Sequence, residues 1–138
     1  MEQETALYLE SHKRLLNWTQ ELEFLGYILS EIVDPHGLDK QGFTCHQAVD
    51  LPTIIYILRR ACSRPGGRLR GVLSKQASKY FGDLLLRCKR IRNAMAHHAV
   101  LDDETMRTPQ EAKEELGLQL QSVISQAASR YDIHQLSD

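Results

Sequence analysis

The chain is poor in the devices that hold small proteins together without a core. Its three cysteines, Cys45, Cys62 and Cys88, are scattered and odd in number, with no C-x-x-C pair. That excludes a disulfide framework and points to reduced thiols in a cytoplasmic protein. No apolar run approaches the roughly 18 residues that cross a bilayer. The opening Met1-Glu2-Gln3-Glu4 has neither the basic start nor the apolar middle of a secretory leader, so no membrane partner is expected. Period-two alternation, internal repeats and low-complexity tracts are all missing, which leaves no candidate strand and no solenoid. What is present is ordinary core-forming material: 42% hydrophobic and 25% charged residues in 138, enough for one domain over residues 1–138.

Helical periodicity organises that material. Leu15, Trp18, Leu22, Leu25, Leu29 and Ile32 recur at spacings of three and four, one apolar stripe on a helix from about Glu4 to Val33. Such a helix is ~45 Å long at 1.5 Å per residue. Asp34-Pro35-His36-Gly37 ends it, and residues 34–49 read as a loop. Asp50 caps a second helix with Pro52 in its first turn and Ile54, Ile55, Ile57, Leu58 and Ala61 along it, stopped by Arg64-Pro65-Gly66-Gly67. A third runs from about Leu69 or Ser74 to about His97, with Tyr80, Leu84, Cys88, Ile91 and Met95 on one stripe. Thr108-Pro109-Gln110-Glu111 reads as the start of a fourth, whose inward positions are Ala112, Leu116, Leu120, Val123, Ala127 and Tyr131. The expectation is an all-α, antiparallel bundle of four to five helices.

Charge is distributed less evenly than the net value of −1 suggests. Residues 59–92 carry eleven basic side chains, Arg59, Arg60, Arg64, Arg68, Arg70, Lys75, Lys79, Arg87, Lys89, Arg90 and Arg92, against the single carboxylate of Asp83. The rest of the chain is correspondingly acidic. A polyanion would be drawn to one side of the molecule and repelled from the other. Arg59, Arg60, Lys75, Lys79, Arg87, Lys89 and Arg90 are therefore the candidate residues for binding a polyanion.

That segment ends in Lys89-Arg90-Ile91-Arg92-Asn93-Ala94-Met95-Ala96-His97-His98. Arg92 offers a planar fork for a phosphate, and His97 a group that takes up and gives back protons near neutral pH. Asn93 and His97 are four apart on one helix face, so the amide is placed to orient the imidazole. Ala94 and Ala96 leave the surface open to a close approach. Taken singly, Arg92 suits a salt bridge to the fourth helix, and the histidines suit a polar helix end. Together, beside the basic segment, they make a candidate site for metal-free chemistry on a phosphodiester.

The Arg-Asn-x-x-x-His ending resembles the HEPN superfamily (higher eukaryote and prokaryote nucleotide-binding), helical bundles with an Arg-x(4–6)-His motif. With Asp102-Asp103-Glu104 following, it is most similar to the Swt-type endonuclease and abortive-infection branches. The resemblance covers about ten residues in the motif and, loosely, the helical layout. It implies a metal-independent endoribonuclease, a toxin or antiviral effector, working as a homodimer with two motifs facing across one groove. Arg92 would bind the scissile phosphate, His97 move protons and Asn93 position the two, with His98 also at a permitted spacing. The alternative it implies is a noncatalytic module for RNA docking, dimerisation or a protein partner, and a toxin would bring an antitoxin as regulatory partner. No cofactor is implied. The basic segment and the motif are expected to line one concave surface.

Weaker patterns read as structure. His36 with Cys45 and His46 matches no zinc spacing, and adjacent helical histidines such as His97 and His98 diverge too far to share a metal with His134. No metal site is expected. Arg64–Arg68 lacks the lysine and threonine of a phosphate loop. The Leu15–Ile32 stripe, Trp18 included, reads as core rather than a dimer seam.

Overall fold

A computed structural model of the chain describes residues 2–42, 50–98 and 100–131. These residues form six helices and no strand: α1 (Glu2–Val33), α2 (Pro35–Lys40), α3 (Leu51–Cys62), α4 (Arg68–Val72), α5 (Lys75–Ala96) and α6 (Asp103–Tyr131). The four long helices make an all-α bundle in which α1 touches α3 and α6, and α5 closes the square between them.

Most stripes fall where periodicity puts them. Trp18, Leu22, Leu29 and Ile32 on α1, Ile54 to Ala61 on α3, and Ala112, Leu116, Leu120, Val123 and Ala127 on α6 are buried in one cluster. The Leu15–Ile32 stripe is core, as expected. Tyr80 is not: its ring is 52% exposed, and its hydroxyl donates to the Glu115 carboxylate across α5 and α6. A phenol at the rim can keep its ring on apolar neighbours while its hydroxyl finds a partner outside.

One short helix, α2, occupies a stretch that reads as loop. The Asp34 carboxylate accepts from the Gly37 N–H at 3.1 Å and caps α2. Gly37 is thus not a chain-reversal residue. It is glycine because a Cβ there would come within 2.5 Å of Asp34 Oδ2. The left-handed residue is Gly42, at φ 78°. Further on, the expected third helix divides into α4 and α5, because Ser74 turns out of the helix to accept from the Ala77 N–H at 3.0 Å and restarts it. Cys45, His46 and His134 lie outside the described residues.

The last helix begins earlier than Thr108. Asp102 Oδ1 accepts from the Thr105 N–H at 2.8 Å, so the cap is Asp102 and Pro109 lies inside α6. Proline there cannot donate to the turn before it, but its buried carbonyl accepts the Trp18 indole N–H at 2.9 Å.

Helix direction also departs from expectation. Arg14 pairs with Asp103, Trp18 with Pro109 and Glu21 with Lys113, a register that rises along both chains. α1 and α6 are parallel. α3 follows α1 in the same sense, Glu23 lying against Leu51 and Gly26 against Ile54. Only α5 runs the other way. The antiparallel arrangement therefore holds for α3–α5 and α5–α6, which short connections join. It fails for α1 with α3 and for α1 with α6, which run in the same sense.

Candidate functional site

α5 delivers the motif. The Ser74 cap starts it, Phe81, Leu84, Leu85, Cys88 and Met95 anchor its inner face, and its last turn closes with the His97 N–H on Ala94 O and the His98 N–H on Met95 O, both at 3.1 Å. Burial of Met95 fixes which residues point outward: Asn93, Ala94, Ala96, His97 and His98 are exposed. The open surface expected beside Arg92 is present, and it is a helix end rather than a cleft.

Arg92 itself is half-buried and leans toward α1. Its Nη1 donates to Asn93 Oδ1 at a long 3.5 Å. Its Nε is buried with no hydrogen-bond partner. The amide oxygen of Asn93 thus goes to Arg92, and the expected Asn93–His97 hydrogen bond does not form. The imidazole of His97 carries no hydrogen bond among the described residues, so nothing fixes its tautomer.

The carboxylate that acts on Arg92 is Glu23 on α1, not one on α6. Partial burial pushes the Glu23 carboxyl above its ordinary value and outweighs the Leu51 N–H that pulls it down. Asp50 adds to the rise and Arg92 opposes it. Arg92 and Glu23 make no direct ion pair, so the guanidinium keeps donors for an outside anion. Glu23 was not legible as a site residue. It lies 69 positions from Arg92 in the chain, and only the α1–α5 approach brings the two together.

The eleven basic residues separate into groups. Arg64 pairs with Asp34 at 3.8 Å. Arg68 donates to Ile32 O at 2.9 Å and lies 5.3 Å from the centre of the Tyr131 ring. These two are part of the fold. Arg59, Arg60, Arg70, Lys75, Lys79, Arg87, Lys89, Arg90 and Arg92 make no ion pair among the described residues.

The expected single concave surface is not formed. Arg59, Arg70, Lys75 and Lys79 share a cleft where α3, α4 and the start of α5 meet. Arg87 and Arg90 line a smaller one with Asp83 and Ile91. Arg92 faces α1.

Other reactive groups are quiet. The Cys62 and Cys88 thiols are free and buried, and burial pushes both up to about 11, where little thiolate forms at neutral pH. Among the described residues no three His, Cys, Asp or Glu side chains are grouped to hold a metal, and no helix is long and apolar enough to cross a membrane.

Comparisons with protein-family models, with curated proteins and with solved structures return no match for this chain.

Proposed function

We propose that the chain is a HEPN-type, metal-independent endoribonuclease, in which two copies bring Arg92, Asn93 and His97 together across a composite groove. The observation that carries this reading is that nine cations on α3, α4 and α5 have no ion-pair partner among the described residues, and that the last turns of α5 hold a guanidinium with free donors and an exposed imidazole. A surface built only for solubility has no need of so many unpaired cations of one sign, whereas an RNA backbone does. Pairing of two copies is supported by the first turns of α1. Residues 2–10 are exposed throughout and carry Leu7, Tyr8 and Leu9. They sit next to the connection that follows the motif, where the Leu101 N–H donates to Ser11 Oγ at 2.7 Å. A toxin or antiviral effector held by an antitoxin is the setting that fits such an activity.

In this mechanism one His97 takes the proton of a ribose 2′-hydroxyl as the oxygen attacks the adjacent phosphorus. The P–O5′ bond breaks, and the leaving oxygen receives a proton from the facing imidazole. Arg92 stabilises charge on the pentacoordinate phosphate. A mixed RNA pool incubated with EDTA should then give 2′,3′-cyclic phosphate ends and 5′-hydroxyl ends. DNA should be untouched for want of the 2′-hydroxyl. His97→Ala should slow cleavage by roughly a hundredfold or more while RNA still binds, and Arg92→Ala should weaken both. His98→Ala is the control for the histidine assignment. Cleavage that needs Mg²⁺, or that cuts DNA equally well, sinks the mechanism.

One observation favours a second reading, a noncatalytic RNA-docking or dimerisation module: Asn93 is bonded to Arg92 and leaves His97 unoriented. RNA binding without cleavage, unchanged by His97→Ala, would decide for it.

A further inference from the structure

Toward the other end of α5, where Ser78 lies about 29 Å along the helix from His97 at 1.5 Å per residue, the basic cleft holds polar groups that the fold leaves unanswered. Ser78 is 2% exposed, yet its Oγ has no hydrogen-bond partner, and the Nε of Arg70 is likewise buried and unpartnered. Both residues line the cleft. Arg59 and Arg70 lie close enough to Cys62 at its floor to act on that thiol, and Lys75 and Lys79 complete a cationic rim, with Asp83 the carboxylate among them. None of the four cations is ion-paired among the described residues.

The rim also includes the start of a 22-residue helix. Ser74 Oγ takes the Ala77 N–H and Ser74 O takes the Ser78 N–H. The Lys75 and Gln76 N–H groups at that end have no helical acceptor.

We infer that this cleft binds a phosphate monoester carried on a compact organic body, independently of the Arg92–His97 motif. The reasoning is one of complementarity. Arg70, Lys75, Lys79, Arg59 and the first-turn N–H groups donate only, and the Ser78 hydroxyl is free to donate. An acceptor-rich anion answers all of them, and a terminal phosphate offers three oxygens and close to two negative charges near neutral pH. The space of about 710 Å³ is far larger than a phosphate and lies within the range of small-molecule sites. Cys62, Pro65 and Gly82 give it uncharged walls against which an organic group can lie.

Adenosine 5′-monophosphate is the probe, with adenosine as its phosphate-free control, titrated into the full chain by calorimetry. Saturable one-to-one binding of the monophosphate is expected, with adenosine weaker by at least about tenfold and inorganic phosphate competing. Ser78→Ala and Arg70→Gln should each weaken binding by about tenfold. The ligand-free Ser78→Ala protein should melt at the same temperature or higher, because the substitution removes an unanswered buried hydroxyl and breaks no bond. Arg92→Ala should leave the affinity unchanged, which separates this site from the ribonuclease reading. An oligoribonucleotide ending in a 5′-phosphate that displaces the probe, while its 5′-hydroxyl counterpart does not, identifies an RNA end as one source of the same monoester. Equal binding of adenosine, no saturation in the millimolar range, or a melting point lowered by Ser78→Ala would each overturn the inference.

Discussion

The seam between α1 and α6 and the flank built by α3, α4 and α5 use charge in opposite ways. Along the seam, Arg14 meets Asp103 at 2.9 Å and Lys113 meets Glu21 at 2.7 Å, on either side of the Trp18–Pro109 hydrogen bond. On the flank, nine cations have no ionic partner among the described residues. Exposed pairs contribute about 0–1 kcal/mol each, so stability alone does not explain why one region pairs its charges and the other does not. Pairing cancels the field that a cation projects, whereas leaving it unpaired keeps that field available to a partner. The seam cancels its charges in pairs, and the flank leaves its charges uncancelled.

The largest test of that contrast strikes the seam. Trp18→Ala removes a buried indole and its bond to Pro109, and should cost about 3–5 kcal/mol, measured by denaturant unfolding. At temperatures where the variant is folded, its RNA affinity should match the parent's. A loss below about 1 kcal/mol would mean that α1 and α6 are not the structural pair described.

A middle-sized effect belongs to the flank. Arg87→Gln and Arg90→Gln should weaken RNA binding and each take about 0.7–0.9 off the slope of log affinity against log salt. Unfolding free energy should move by no more than about 0.5 kcal/mol. Arg14→Gln is the matched change on the seam and should leave the slope alone. Equal slopes for the two regions would erase the distinction.

The smallest effect lies where the regions meet. Glu23 has its carboxyl raised in the folded protein, chiefly by burial, so the fold favours the protonated form. Its contribution to stability is complete below the ordinary glutamate value and is lost as pH rises through the raised one. Glu23→Gln should therefore be as stable as the parent or slightly more so at neutral pH, by less than about 1 kcal/mol. The two proteins should draw together under acid. A variant that loses stability as pH rises, as the parent does, would place the titrating group elsewhere.

Much of this fold was written in periodicity. The stripes on α1, α3 and α6 and the Asp50 cap, whose carboxylate accepts from the Thr53 N–H at 2.9 Å, depend on residues a turn apart, which any window of sequence contains. The start of α6 was misread because Thr108-Pro109 matches a local capping pattern, and only the tertiary contact with Trp18 makes a mid-helix proline acceptable. Helix direction was hidden for a different reason: a connection as long as 34–50 lets the next helix run either way. In the site, the exposure of Asn93 and His97 followed from burying Met95. The Glu23 neighbour of Arg92 and the sorting of paired from unpaired cations depend on how distant helices approach, and no local pattern encodes that.

The parallel pairing of α1 with α6 also governs the order in which the molecule can be made. The buried face of α1 that carries Trp18 and Leu22 is covered by α6 residues from Pro109 onward, some 90 positions later in the chain. During synthesis at about 5–20 residues per second, the first helix leaves the ribosome several seconds before its cover exists. Until then that apolar stripe is a surface for a chaperone to hold or for another nascent chain to capture. Completion of the bundle waits for the last helix to arrive.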